Sequence, residues 1–189
     1  MLLHLLRHGQ STWNLERRVQ GQTPHVPLTT EGIAEAEAAR DGLRGRRLSA
    51  IWSSDLLRAG QTADIVAAGR PVAEVAALRE VSLGRLEGRL TAELQAEATP
   101  PGVHVSEVRW GGGESLADVA ARLRPLLGDL AGRFGADDEV LLVSHADTLR
   151  VLVTLLEGRG HRDIDWDRWG TWPNGRVVSL QWPARPANG

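Results

Sequence analysis

Residues 2–9 read Leu2-Leu3-His4-Leu5-Leu6-Arg7-His8-Gly9, a short aliphatic run that stops at a polar turn. Its length and composition predict a buried strand, with a cation, an imidazole and a glycine at its carboxyl end. A second run, Glu139-Val140-Leu141-Leu142-Val143, stops in the same way at Ser144-His145. The rest of the chain alternates strand-like and helix-like stretches. Thr29-Thr30-Glu31 opens an Ala- and Glu-rich helix to about Leu43, ended by Gly45. Ala50-Ile51-Trp52 reads as another strand, and Ser53-Ser54-Asp55 as the N-cap cluster of a helix to about Ala68, closed by Gly69 and Pro71. Helices are expected over 114–133 and 146–156, and an edge strand over 176–182, where apolar and polar residues alternate. Strand and helix in alternation specify an α/β chain: a three-layer α/β/α sandwich around a mostly parallel sheet. At 189 residues it is expected to form a single domain over 1–189. Residues 84–112 fit the pattern poorly. With Pro100-Pro101-Gly102 and Gly111-Gly112-Gly113 they read as an insertion covering the site, or as a surface loop.

Composition excludes several classes of function. There is no cysteine, so disulfides, thiolate catalysis and cysteine-ligated zinc are ruled out. A net charge of −2 gives no electrostatic case for nucleic-acid binding. No stretch approaches the apolar length of a membrane span, and the N-terminus has neither a basic start nor a small-residue cleavage site, so a cytoplasmic protein is expected. All 22 basic residues are arginine. Any cationic clamp must therefore be built from arginine or histidine.

In open α/β sheets ligands bind beyond the carboxyl ends of strands. If the strands ending in His8 and His145 are neighbours, the two imidazoles meet at that rim. The residues around them suit a phosphate. Arg7 precedes His8, Gly9 lets backbone come close to a ligand, and Arg58 falls in the first turn of a helix. A guanidinium forks onto two phosphate oxygens. Asn14 and Gln20 add neutral hydrogen-bonding groups. His4 and His8 are four apart, but on a strand and its turn rather than a helix, so no metal site is expected. The glycine run at 111–113 has no nucleotide-binding context, and no Gly-x-Ser-x-Gly elbow is present.

At this point the motifs become specific. Arg7-His8-Gly9-Gln10-Ser11-Thr12-Trp13-Asn14 resembles the Arg-His-Gly signature of the phosphoglycerate mutase-like branch of the histidine phosphatase superfamily. Gln20-Gly21, Pro27-Leu28-Thr29 with Gly32, and Ser53-Ser54-Asp55-Leu56-Leu57-Arg58-Ala59 with Gln61-Thr62-Ala63 continue the resemblance in order. So do Leu78-Arg79-Glu80 with Gly84 and Glu87-Gly88, then Gly112-Gly113-Glu114-Ser115, then Val143-Ser144-His145. The resemblance spans residues 2–150 and implies a phosphoglycerate mutase-like fold. It also implies a metal-independent phosphomonoesterase acting on a small phosphorylated metabolite without a cofactor. His8 would be the nucleophile and carry a phosphohistidine. Arg7, Arg58 and His145 would bind the phosphoryl oxygens, Glu80 would be the general acid, and Asn14, Gln20, Gly21 and Ala146 would contact substrate. On residue chemistry alone, Glu80 reads as a salt-bridge partner of Arg79 or Arg85. A homodimer follows from the resemblance only.

Two departures stand out. Ala146-Asp147 follows the second histidine where the family often has glycine, which narrows the pocket and puts an acid near a phosphate. Thr23-Pro24-His25 replaces the usual acidic position, and His25 is expected at the surface. A phosphoglycerate-type mutase is the alternative, disfavoured by Val81, where such mutases carry arginine, and by the lack of a paired basic cluster beside Arg109. A third reading, a non-catalytic phospho-ligand binding module, predicts loss of His8, an arginine or Glu80; all are present. The leaving group is not legible. Trp110 is a candidate for lining its pocket.

Overall fold

The computed structural model describes residues 1–95, 98–168 and 172–182. Along the chain run β1 (Leu2–Arg7), α1 (Thr12–Leu15), α2 (Thr30–Gly42), β2 (Leu48–Ser53), α3 (Leu57–Ala67), β3 (Ala73–Glu74), α4 (Leu116–Arg133), β4 (Glu139–Ser144), α5 (Ala146–Leu156) and β5 (Val177–Gln181). The sheet order is β3-β2-β4-β1-β5. The first four strands are parallel, and β5 runs antiparallel on the β1 edge.

Alternation along the strands separates two apolar layers. Leu3, Leu5, Val140 and Leu142 pack with Leu123, Leu130, Leu149 and Leu152 of α4 and α5 on one face. Leu6, Ile51, Leu141 and Val143 pack with Ala39, Ala59, Ala63 and Val66 of α2 and α3 on the other. This is the three-layer sandwich expected from the alternating pattern. β1 and β4 are neighbours in register, Arg7 opposite Ser144, and Ser53 of β2 lies opposite Val143. Three strands therefore end at one rim, and the residues that follow them face one another.

Local sequence explains most helix starts. Thr29 Oγ1 accepts from Gly32 N at 3.0 Å to open α2, and Ser115 and Asp118 form a capping box on α4. The helix of 57–67 departs from expectation. Its N-cap is Leu56, with no side-chain cap hydrogen bond. Asp55 is held instead by Arg79, whose Nε donates to Oδ1 at 2.7 Å. β3 has only two residues, too few to show a period.

Residues 84–112, apart from 96 and 97, which lie outside the described residues, form short 3-10 turns at 84–86, 91–93, 105–107 and 110–112. They brace the chain just after α1: Val19 N donates to Arg89 O and Gly88 N to Val19 O, both at 2.9 Å. No helix among the described residues is long and apolar enough to cross a membrane.

Candidate active site

The turn after β1 is fixed at every step. His8 N donates to Ser144 O at 3.0 Å, Gly9 N to Thr62 Oγ1 at 3.0 Å, and Gln10 N to Glu35 Oε2 at 2.6 Å. From the far end of the chain, Asn174 Nδ2 donates to His8 O at 3.0 Å, and Arg7 Nη1 donates to Trp172 O at 2.5 Å. The backbone is pressed close to α2: a methyl group on Gly9 would lie 2.2 Å from Gly32 O. Glycine is needed at position 9 for this backbone crossing, rather than only for approach to a ligand as the sequence implied.

The two imidazoles meet as expected, with ring centroids 5.0 Å apart, and both are buried. His8 Nδ1 lies 2.7 Å from Gly9 O. A carbonyl only accepts, so Nδ1 carries the hydrogen of the neutral ring and Nε2 keeps its lone pair. Burial, then the charges of Arg58 and Arg7, hold His8 well below the usual histidine range. Burial and Arg58 do the same to His145. His145 Nε2 pairs with Ser54 Oγ at 2.9 Å, while its buried Nδ1 has no hydrogen-bond partner.

Arg58 is the second residue of α3 and is buried, with its fork anchored on the 20–23 loop: Nη2 donates to Gly21 O at 2.8 Å and Nη1 to Thr23 O at 3.1 Å. Its buried Nε has no partner. Burial lowers this guanidinium to about 10, which still leaves it charged near neutral pH. Burial likewise lowers Arg7, opposed by Glu80 and Asp147. One buried and one half-buried guanidinium, beside two buried imidazoles, with Arg58 Nε and His145 Nδ1 unpartnered, make a pocket built for an anion.

Glu80 is half-buried and stands at the N-terminus of α5. Its Oε1 accepts from Val81 N at 3.0 Å and from Thr148 N and Oγ1 at 3.1 Å each. Its Oε2 has a single long contact, 3.4 Å from Asp147 N. Since Arg79 pairs with Asp55, the salt bridge to Arg79 weighed for Glu80 is not formed. Asp147 bonds back to Arg150 on its own helix at 2.5 Å. Desolvation and the adjoining Glu80 raise Asp147 to about 6.

The secondary candidates sort differently. Asn14 and Gln20 are tied to buried Ser11: Asn14 Oδ1 accepts from Ser11 N at 3.0 Å, and Gln20 Oε1 from Ser11 Oγ at 2.8 Å. Gly21 has a positive φ and holds Arg58 through its carbonyl. Ala146 packs against the core. His25 is exposed. Trp110 lines a cavity of about 510 Å³ with Val19, Leu83, Leu86 and Leu94, none of them a residue of the His8 cluster. Among the described residues no group of three or more His, Asp or Glu is placed to hold a metal.

A family model described as histidine phosphatase superfamily (branch 1) matches residues 3–185. The chain belongs to the histidine phosphatase superfamily. A 2,3-bisphosphoglycerate-dependent phosphoglycerate mutase of Methylobacterium radiotolerans is 38% identical over 169 residues, covering 83% of this chain and 79% of that protein. A glucosyl-3-phosphoglycerate phosphatase of Mycolicibacterium vanbaalenii is 37% identical over 169 residues, covering 82% and 74%. Among solved structures, a mycobacterial glucosyl-3-phosphoglycerate phosphatase in complex with VO3 matches with a TM-score of 0.82 at 33% identity, covering 95% of this chain and 92% of that one. In this member of the superfamily, the residues that hold the site in place are ones the sequence did not single out for that role: Ser54, Thr62, Thr148, Trp172 and Asn174. Thr62 lies inside a quoted motif and Thr148 three residues beyond His145, so both were within reach of the sequence. Asn174 lies 166 residues from its partner His8, with only a Pro-Asn-Gly turn to mark it.

Proposed function

We propose that the protein is a metal-independent phosphomonoesterase that acts on a small phosphorylated metabolite through a phosphohistidine at His8. The observation that carries this reading is the 2.7 Å contact from His8 Nδ1 to Gly9 O, which leaves Nε2 of a neutral, buried imidazole free to attack. Nε2 forms a bond to phosphorus while the phosphorus–oxygen ester bond breaks. Arg7, Arg58 and His145 receive the charge that spreads over the three equatorial oxygens. With Ser54 Oγ donating to Nε2 of His145, Nδ1 carries the proton and is the donor without a partner that a phosphoryl oxygen would satisfy. Glu80 gives its proton to the departing oxygen from Oε2, the oxygen its neighbours leave nearly free. Water then attacks phosphorus, the phosphorus–nitrogen bond breaks, and Glu80 takes the water's proton.

Relatives of both names, mutase and phosphatase, are similar to this chain. Hydrolysis is favoured by Val81, which is buried in the core directly after Glu80 and offers no cation for a second phosphate group. The test is phosphate release from a panel of phosphomonoesters in EDTA, beside interconversion of phosphoglycerates primed with bisphosphoglycerate. Steady release with slow interconversion is expected. Fast interconversion without release would overturn the hydrolase reading in favour of the mutase.

A further inference from the structure

A chain of contacts leads outward from Glu80. The backbone N of Asp147 meets Glu80 Oε2 at 3.4 Å, and Asp147 Oδ1 accepts from Arg150 Nη1 at 2.5 Å. The Arg150 guanidinium in turn covers the Trp166 ring, 5.4 Å from its centroid. Trp166 is still 46% exposed and the Asp147 side chain 37% exposed. Asp147 Oδ2 makes no hydrogen bond among the described residues. The loop that carries Trp166 is fastened to the 105–107 turn, where His161 Nε2 and Arg162 Nε meet Glu107 Oε1 at 3.1 and 2.7 Å. Asp147 stands in the first turn of α5, two residues after His145, which with its contact to Glu80 places it at the edge of the phosphate pocket.

We propose that Asp147, Arg150 and Trp166 form the subsite for the leaving group, and that they select a neutral, polyhydroxylated group such as a sugar over a carboxylated or purely alkyl one. This rests on the hydrolase reading, in which Glu80 protonates the leaving oxygen and so marks the side on which that group lies. The exposed indole offers a flat apolar surface for the C–H face of a sugar ring. The free carboxylate oxygen accepts hydroxyl hydrogens, and the buried Arg150 guanidinium holds that carboxylate and backs the indole. An alkyl group would desolvate the Asp147 carboxylate without replacing its hydrogen bonds with water. A carboxylated group would meet the Asp147 carboxylate, whose neighbouring cation is already paired.

The test compares kcat/KM for a hexose monophosphate, 3-phosphoglycerate and ethyl phosphate in the wild type, Trp166→Ala, Trp166→Phe and Asp147→Asn. The wild type should favour the hexose phosphate over both others by at least about tenfold. Trp166→Ala should cut the hexose-to-ethyl ratio by about tenfold, mainly through KM, and Trp166→Phe should restore most of it. Asp147→Asn should raise 3-phosphoglycerate relative to the hexose phosphate. Thermal midpoints confirm that each variant is folded. Turnover with the three ratios unchanged in the variants would overturn the subsite alone. No turnover of any ester by the wild type would overturn the hydrolase reading, and the subsite with it.

Discussion

His8 and Glu80 have different kinds of surroundings, and the proposed roles follow from them. His8 is enclosed, beside two guanidinium groups, with one nitrogen committed to a carbonyl; what remains is a neutral nucleophile. Glu80 is half-buried, with one oxygen held by three donors and the other by a single long contact. Glu80→Gln keeps the acceptor oxygen but removes the transferable proton. It is expected to slow turnover of esters with poor leaving groups by roughly 10²–10⁴-fold, and to matter much less for p-nitrophenyl phosphate, whose leaving group needs no proton. Equal losses on both would contradict the assignment. His8, Arg7, Arg58, Glu80 and His145 were legible as candidates because their residue types and order resemble a family motif. Their supports were not legible. Nothing local to Glu80 says that Thr148 will bond to it, because that contact exists only once α5 is docked.

At the scale of elements, the site is a rim made by the ends of β1, β2 and β4 and the starts of α3 and α5. The strand–helix alternation revealed this frame, since the buried strands are nearly continuous aliphatic runs and α2 and α4 carry their own caps. The start of α3 was misread: Ser53-Ser54-Asp55 has the composition of a cap, but tertiary partners claim its side chains. Ser54 goes to His145 and Asp55 to Arg79. The loop after β1 depends on its close crossing of α2. Gly9→Ala would force a methyl to within 2.2 Å of Gly32 O, so the loop or the helix must move. The substitution is expected to destabilise the fold by about 1–3 kcal/mol and to reduce kcat sharply by displacing His8. Urea denaturation read beside steady-state kinetics checks it; unchanged stability would show that the crossing is looser than described.

At the scale of the molecule, keeping both buried imidazoles neutral links stability to pH. Their folded pKa values lie well below 6.5, so below that pH the unfolded chain binds protons that the folded chain refuses. Stability should be full above about pH 6.5 and fall as the pH drops from there to 6, with a shallower fall in His8→Ala. Asp147, raised to about 6, has the opposite sign, but chiefly at pH below this window. Equal slopes for wild type and variant would mean that His8 is not held neutral by the fold. The whole chain also explains why the clamp on the nucleophile escaped notice: Trp172 and Asn174 reach Arg7 and His8 only because β5 returns antiparallel beside β1. A phosphohistidine is a covalent state of the whole protein, and the intact mass of enzyme quenched during turnover, with the modified peptide mapped, reads it. One added phosphoryl group is expected on His8, labile to acid and absent from His8→Ala. Turnover without a phosphoenzyme, or with the group on another residue, would contradict it.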